Sequence, residues 1–395
     1  MAGRKLVAFF LAIIVAEART IVPNTMVLAP PFPRPVSTIS PSPAPMSSPA
    51  PTPSASPAIK GGYWISSTAE SSPPSTIPTS YFTHLFYAFS VPDPTTYQLS
   101  ITQADEKWMG NFTSTLHAKS PPALTFLAIA GDPNIFSNMS SNRDNRASFI
   151  QSSIAVAREY GFDGLNLDWE FPNNPQEMSN MAILFSEWRS AIDKEALASG
   201  SPRLLLSAAV YFASNFFLSN VPRTYPGDAI DKYADFVSPM CYDYHGAWDT
   251  SVTGAQALLY DKSSNLSTSY GISSWIKNGV APEKLVMGLP MYGRTWKLKD
   301  PNEHGIGAPA VGAGPGFQGV MVYSDIVDYN LANSATVVYD EGTVSTYAYA
   351  GTDWIGYDGE ISISNKVRFA SAQGLGGYFF WAVGYDKNWT LSRAG

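Results

Sequence analysis

Three polar residues recur at every second position in Phe162-Asp163-Gly164-Leu165-Asn166-Leu167-Asp168-Trp169-Glu170-Phe171-Pro172. Side chains alternate faces along a β-strand, so Asn166, Asp168 and Glu170 point one way while Leu165, Leu167 and Trp169 point the other. Two carboxylates in line on one face are candidates for proton transfer and charge balance. An apolar row behind them fits a parallel strand covered on its outer side by helices. The competing reading is a half-exposed edge strand that carries acids into water, but a tryptophan and two leucines on the opposite face demand burial. Asp163 shares the parity of the leucines, which predicts a capping or turn role for it.

A strand of this kind needs a scaffold, and the chain carries the pattern of one. Candidate strands are Ile59–Trp64, Phe82–Phe89, Leu124–Ala130, Asp163–Trp169, Arg203–Val210, Asp235–Asp243, Leu285–Pro290 and Gly376–Trp381. Helical patterns such as Arg146–Tyr160, Met178–Ala198 and Ile361–Gln373 lie between them. Eight strands alternating with helices predict an α/β fold, a parallel (β/α)8 TIM barrel, with chemistry at the C-terminal ends of the strands. Asp168 and Glu170 sit at that end of the fourth strand. The interval from Tyr292 to Tyr357 has no strand–helix unit of barrel period; it holds Gly-rich turns and the strand-like runs Thr336–Tyr339 and Ser345–Tyr349. It reads as a small inserted α+β subdomain between strand seven and helix seven. The expected organisation is therefore barrel over 59–291, insertion over 292–357, and barrel again over 358–395, with little chain left for an eighth helix.

Ahead of the barrel, Arg4 and Lys5 precede the apolar run Leu6–Val15 and the Ala16-Glu17-Ala18 triplet, which predicts a secretory signal over 1–18. Ten apolar residues are too few to span a bilayer. A Pro/Ser/Ala-rich spacer follows over 19–58, of a composition that favours extended polyproline II rather than a packed core and resembles O-glycosylated stalks. The sequons at Asn111, Asn138, Asn265 and Asn388 are compatible with a secreted glycoprotein. Secretion to the extracellular space or cell wall is expected, with the vacuole as the open alternative, and the chain is expected to be a monomer away from membranes. Cys241 is the single cysteine, so no internal disulfide can form, and its apolar setting predicts a buried packing thiol. A net charge of -7 without a basic patch argues against nucleic acid as a partner. No histidine spacing suggests a metal, and no cofactor is implied. Aromatic residues at 13% beside a charged fraction of only 14% suit a neutral, hydroxyl-rich ligand.

The fourth-strand segment resembles the D-x-x-D-x-D-x-E pattern of glycoside hydrolase family 18, flanking Tyr160-Gly161 and Phe171-Pro172 included, with Asn166 standing where that family has its middle Asp. Met240-Cys241-Tyr242-Asp243 resembles the family's M-x-Y-D on strand six. Gly376–Trp381 is similar to its last strand, Gly61-Gly62-Tyr63-Trp64 to its first, and Gly288–Arg294 to its seventh. Within the family, Gly61–Trp64 and Tyr81–Phe89 resemble the plant class V chitinases, whose association with plant defence comes with the likeness. The resemblance implies a chitinase acting on β-1,4-linked N-acetylglucosamine polymers or oligomers by a retaining, substrate-assisted mechanism, in which the sugar's own N-acetyl carbonyl attacks the anomeric carbon. It makes Glu170 the proton donor, with burial near Trp381 raising its pKa, and Asp168 the carboxylate that steadies the acetamido N–H. It further makes Tyr242 a donor to the acetamido oxygen and Trp381 the floor under the cleaved sugar. Asp243, Met240, Tyr63, Asn166 and Phe89 join the expected substrate site. Tyr292 and Arg294 fit either substrate binding or anchoring of the insertion.

Two departures bear on rate. Asn166 cannot take up a proton, although its amide is expected to donate to Asp168. Strand three reads Ala128-Ile129-Ala130-Gly131 where the family has S-x-G-G, so the hydroxyl that supports the middle Asp is missing. A slow chitinase and a chitin-oligosaccharide-binding lectin that has lost turnover both remain open on these residues.

Overall fold

The computed structural model describes residues 58–395; the signal expected over 1–18 and all but the last residue of the expected spacer lie outside them. Eight parallel strands form the barrel: β1 (Ile59–Ile65), β2 (His84–Pro92), β3 (Leu124–Ile129), β4 (Gly164–Asp168), β5 (Leu205–Tyr211), β6 (Phe236–Met240), β7 (Val286–Pro290) and β8 (Gly377–Trp381). Each pairs with its neighbour in sequence, and β8 pairs with both β7 and β1. A parallel bridge between Val237 and Leu285 links β6 to β7 and closes the ring. The outward row of β4 is buried as the alternation requires, with Trp169 packed against Phe136 of the helix Pro133–Ser141 at 5.9 Å.

Small and large residues alternate inside the barrel. Phe86, Phe126 and Phe236 interlock, with ring centroids 5.0 Å apart for the first pair and 5.5 Å for Phe126 and Phe236. Gly164 makes room for Phe126: a Cβ on that glycine would lie 2.4 Å from the ring. Gly288 does the same for Phe379, at 2.8 Å. This aromatic plug, which takes in the His84 ring 5.6 Å from Phe126, fills the lower barrel, and the carboxyls of the inward face of β4 stand above it.

Asp163 lies at the lower rim. Its Oδ2 accepts from the Thr125 backbone N–H at 2.7 Å and from the Thr125 hydroxyl at 3.1 Å, and pairs with His117 Nε2 at 2.8 Å. It is a tie between strands, far from the acids of the upper end. Cys241 is buried, and burial pushes its thiol up to about 12, so it packs rather than reacts.

Between β7 and the helix Glu360–Ala372 runs a six-stranded antiparallel sheet built from Tyr292–Leu298, Ala310–Ala313, Val320–Val322, Thr336–Asp340, Ser345–Ala350 and Asp353–Tyr357, together with the helix Tyr323–Ala332. Trp296, Trp354 and Tyr347 form its small core. Its strand Tyr292–Leu298 continues almost directly from β7, so one face of the sheet stands beside the upper end of the barrel. Lys366 ties three segments together: its ammonium donates to the Asp358 carboxylate just past the sheet, and to the Ala257 carbonyl in the long loop after β6.

Strand six is shorter than its sequence suggests. The expected run to Asp243 ends at Met240, because the backbone folds back: Cys241 N–H donates to the Pro239 carbonyl and Tyr242 N–H to that of Met240. Asp243 then adopts a left-handed conformation with φ of 61°. Tyr242 and Asp243 therefore project from a loop over the barrel mouth. The eighth helix is a single short segment, Thr390–Ala394.

Candidate active site

The upper ends of β1, β4, β6 and β8 bring the expected residues together. Asp168 closes β4, is 5% exposed, and accepts a hydrogen bond from the Glu170 side chain two residues on. Burial pushes the Asp168 carboxyl up to about 7, and the hydrogen bond from Glu170 partly offsets that rise. Its Oδ1 is buried without a hydrogen-bond partner among the described residues. The fields of Asp168 and Glu170 reach Tyr63, Tyr225 and Tyr242, whose phenols are all held protonated chiefly by burial, with those negative charges adding to it. Tyrosines in that state are hydrogen-bond donors throughout the working pH range. The site thus offers two carboxyls within reach of one shared proton, flanked by neutral hydroxyl donors.

Beneath them is an aromatic floor. Trp381, at the end of β8, stacks on Phe89 from the end of β2 with centroids 5.6 Å apart and 19° between planes. Tyr63 leans on Trp381 at 5.4 Å and stacks on Phe86 at 4.5 Å. Trp381 is 8% exposed, so most of the side chain is core. Met240 is half-buried at the end of β6. Non-proline cis peptide bonds join Ala88 to Phe89, Glu170 to Phe171 and Trp381 to Ala382, all beside this floor.

The wall toward the inserted sheet is ionic. Arg294 Nε donates to Asp243 Oδ1 at 2.8 Å, and Nη2 lies 2.6 Å from the same oxygen. The Tyr292 hydroxyl also bonds to Asp243. Arg294 is 1% exposed and its guanidinium sits over the Trp248 ring at 5.1 Å. Of the two roles open to Arg294, this geometry supplies an anchor between insertion and barrel. Tyr292 is 2% exposed and belongs to the same anchor.

The expectation for the Asn166 amide is corrected. Its Nδ2 donates to Ser207 Oγ at 3.0 Å on the neighbouring β5, and its Oδ1 accepts from the Tyr63 hydroxyl at 2.8 Å. No hydrogen bond joins it to Asp168 among the described residues. The reason is register: Asn166 stands directly opposite Ser207 on one side and Ala128 on the other. A cross-strand neighbour is nearer than a residue two positions along the same strand.

Ser207 and Tyr225 belong to this site without any motif to announce them. Ser207 lies in the apolar run Leu204–Val210, where one serine reads as neutral. Tyr225 reaches the site from a hairpin after β5, its hydroxyl 3.2 Å from the Tyr211 backbone nitrogen. Among the described residues no cluster of three or more His, Cys, Asp or Glu could hold a metal ion, and no helix is long and apolar enough to cross a membrane.

The family model of glycosyl hydrolases family 18 matches residues 60–386. The class V chitinase CHIT5 of Lotus japonicus is 51% identical over 339 residues, 85% of this chain and 84% of that protein. The crystal structure of a mutant class V chitinase from Nicotiana tobaccum in complex with NAG4 is similar with a TM-score of 0.81 at 40% identity, covering 85% of this chain and 97% of that one. A chitinase-like agglutinin from Robinia pseudoacacia is similar with a TM-score of 0.79 at 41% identity, covering 85% and 98%.

Proposed function

The chain belongs to glycosyl hydrolases family 18, among its class V chitinases, and from that premise we propose that it is a secreted, endo-acting enzyme that hydrolyses β-1,4-linked N-acetylglucosamine oligomers with retention of configuration. The observation that carries this reading is the Asp168–Glu170 pair, a hydrogen-bonded couple of carboxyls at the C-terminal end of β4. A sugar seated on Trp381 places its glycosidic oxygen toward Glu170, which delivers the proton to the leaving group. As the bond breaks, the carbonyl oxygen of the substrate's acetamido group bonds to the anomeric carbon and an oxazolinium ion forms. The nitrogen of that ion carries positive charge and an N–H, and Asp168, relieved of its shared proton, accepts that hydrogen bond. Tyr242 donates to the acetamido oxygen and holds it on the attacking line. Glu170, now a carboxylate, takes a proton from water, whose oxygen opens the ion from the face the leaving group vacated. Two inversions at one carbon give retention.

A ligand of this class also suits the surroundings. Apolar contact with Trp381, a hydroxyl donor from Tyr242, and a wall steadied by Arg294 recognise a neutral sugar rather than an ion. The similar class V chitinase from Nicotiana tobaccum is a complex with NAG4, which supports chitin oligosaccharides as the ligand class.

A second reading is favoured by one observation. Asn166 is a neutral amide hydrogen-bonded to Ser207 and Tyr63 and cannot take the second proton of a carboxylate pair, and a chitinase-like agglutinin is among the similar structures. In that reading the cleft binds oligosaccharide without turnover. Incubation with N-acetylglucosamine tetramer, followed by chromatography and by proton NMR of the fresh reducing ends, tests the choice. Dimers with an initial excess of the β-anomer support the retaining hydrolase. Saturable binding without cleavage overturns it in favour of the lectin.

A further inference from the structure

The Asn166 amide has its two ends fixed by neighbours of opposite character. Ser207 gives its own proton to the Leu165 carbonyl, at 3.3 Å, and therefore meets Asn166 as an acceptor. Tyr63 meets it from β1 as a donor. The NH2 end must then face β5 and the oxygen must face β1, with both residues fully or almost fully buried. Asp168 is the next inward residue on the same strand, and its Oδ1 has no partner in the described structure although a side-chain amide stands one strand repeat below it. On the other flank, the register partner Ala128 offers only a methyl group.

We propose that Ser207 is the positioning residue of this site: it holds the Asn166 amide sideways along the sheet, withholds it from Asp168, and leaves Glu170 as the hydrogen-bond donor to that carboxyl. The assignment rests on reading the site as a family 18 hydrolytic centre. Four groups face Asp168 from the packed elements: Tyr63 from β1, Glu170 beyond β4, Tyr225 from the hairpin after β5 and Tyr242 beyond β6. Three are phenols held neutral by burial, so Glu170 is the facing carboxyl. An amide swung onto Asp168 would stabilise its ionised form and make it a poorer partner for the Glu170 proton. The hydroxyl missing from β3 at Ala128 is thus met from β5, on the opposite side of Asn166. It follows that a carboxylate at 166 would find two hydroxyl donors waiting, Tyr63 and a rotated Ser207, without any change at 128.

The test is a titration of carboxyl-labelled aspartate by carbon-13 NMR in wild type, Ser207→Ala and Ser207→Thr, paired with the pH dependence of kcat. In Ser207→Ala the freed amide should turn to Asp168 and lower its midpoint by about half a pH unit or more, as expected for a new hydrogen bond to the charged form. The threonine variant, which keeps the hydroxyl, should hold the wild-type midpoint, and KM should stay put while the kcat profile follows the midpoint. An Asp168 midpoint identical in wild type and Ser207→Ala overturns the assignment. If Ser207→Ala does not fold, Asn166→Asp gives the answer: it should gain in rate alone, and adding Ala128→Ser should change the rate less than about twofold, because contacting residues couple and the partner here is Ser207. A gain that appears only with Ala128→Ser overturns the proposal. Absence of any hydrolysis by the wild type would sink the catalytic reading, yet the NMR titration would still decide what Ser207 does.

Discussion

Arg294 on the inserted sheet and Asp243 above β6 hold one another across the boundary between insertion and barrel, two guanidinium nitrogens on a single carboxylate oxygen. The arginine is almost wholly buried, whereas the Asp243 side chain keeps 24% of its surface. The pair therefore costs desolvation mainly on the arginine side, and its value lies in fixing the cleft wall relative to the floor. Removing the aspartate strands a buried positive charge.

Asp243→Ala is accordingly expected to lower stability by about 3–5 kcal/mol, the cost of breaking a buried pair from one side. It should also weaken oligosaccharide binding, since Tyr292 loses the same partner. Chemical denaturation and a binding titration read the two effects. Unchanged stability would show that the pair is incidental.

Glu170→Gln is expected to abolish hydrolysis while sugar binding survives, because the amide keeps the shape and loses the transferable proton. General acid catalysis contributes some 10²–10⁴-fold, and an amide cannot supply it. Retention of most of the wild-type rate would remove Glu170 from the proton-donor role.

Trp381 is mostly core yet lies beside the proposed sugar site, so truncation should act twice. Trp381→Ala should cost about 3–5 kcal/mol of stability as a core truncation and weaken binding by roughly 1–3 kcal/mol through lost stacking and apolar contact. Trp381→Phe separates the two, because it refills part of the volume against Phe89 and Tyr63 while narrowing the platform. A lowered melting temperature with an unchanged titration would make Trp381 a packing residue alone.

Much of this site could be read from the chain because one strand carries it. The period-two alternation placed Asn166, Asp168 and Glu170 on one face, and the packing of Trp169 on Phe136 bears that parity out. The end of β6 could not be read, because Met240–Asp243 continues the apolar pattern through a backbone turn. Two helices begin about a turn ahead of their apolar repeats for a related reason: the caps Asn142 and Asn174 lie in polar stretches. Ser207 was invisible because its importance is a matter of cross-strand register. A sequence shows neighbours along a strand, and the partner of Asn166 is a neighbour across it.

The raised carboxyl of Asp168 makes a prediction about stability as well as rate. Its ordinary value is 3.8 and burial moves it to about 7 in the folded chain, so the native state holds a proton there that the unfolded chain has released. Below pH 4 both states are protonated and the group contributes its full share of stability. From about pH 4 upward the unfolded carboxyl ionises while the folded one stays protonated, so that share is lost progressively and is gone once pH passes 7, on the order of 4 kcal/mol in all. Asp168→Asn carries no such penalty. Wild type and variant should therefore differ little in stability near pH 4, while near pH 8 the variant should be the more stable of the two and catalytically disabled. Denaturant midpoints at the two pH values make the comparison. Parallel stabilities across the range would mean that Asp168 is solvated or paired well enough to ionise freely, and the proton shared with Glu170 would go with it.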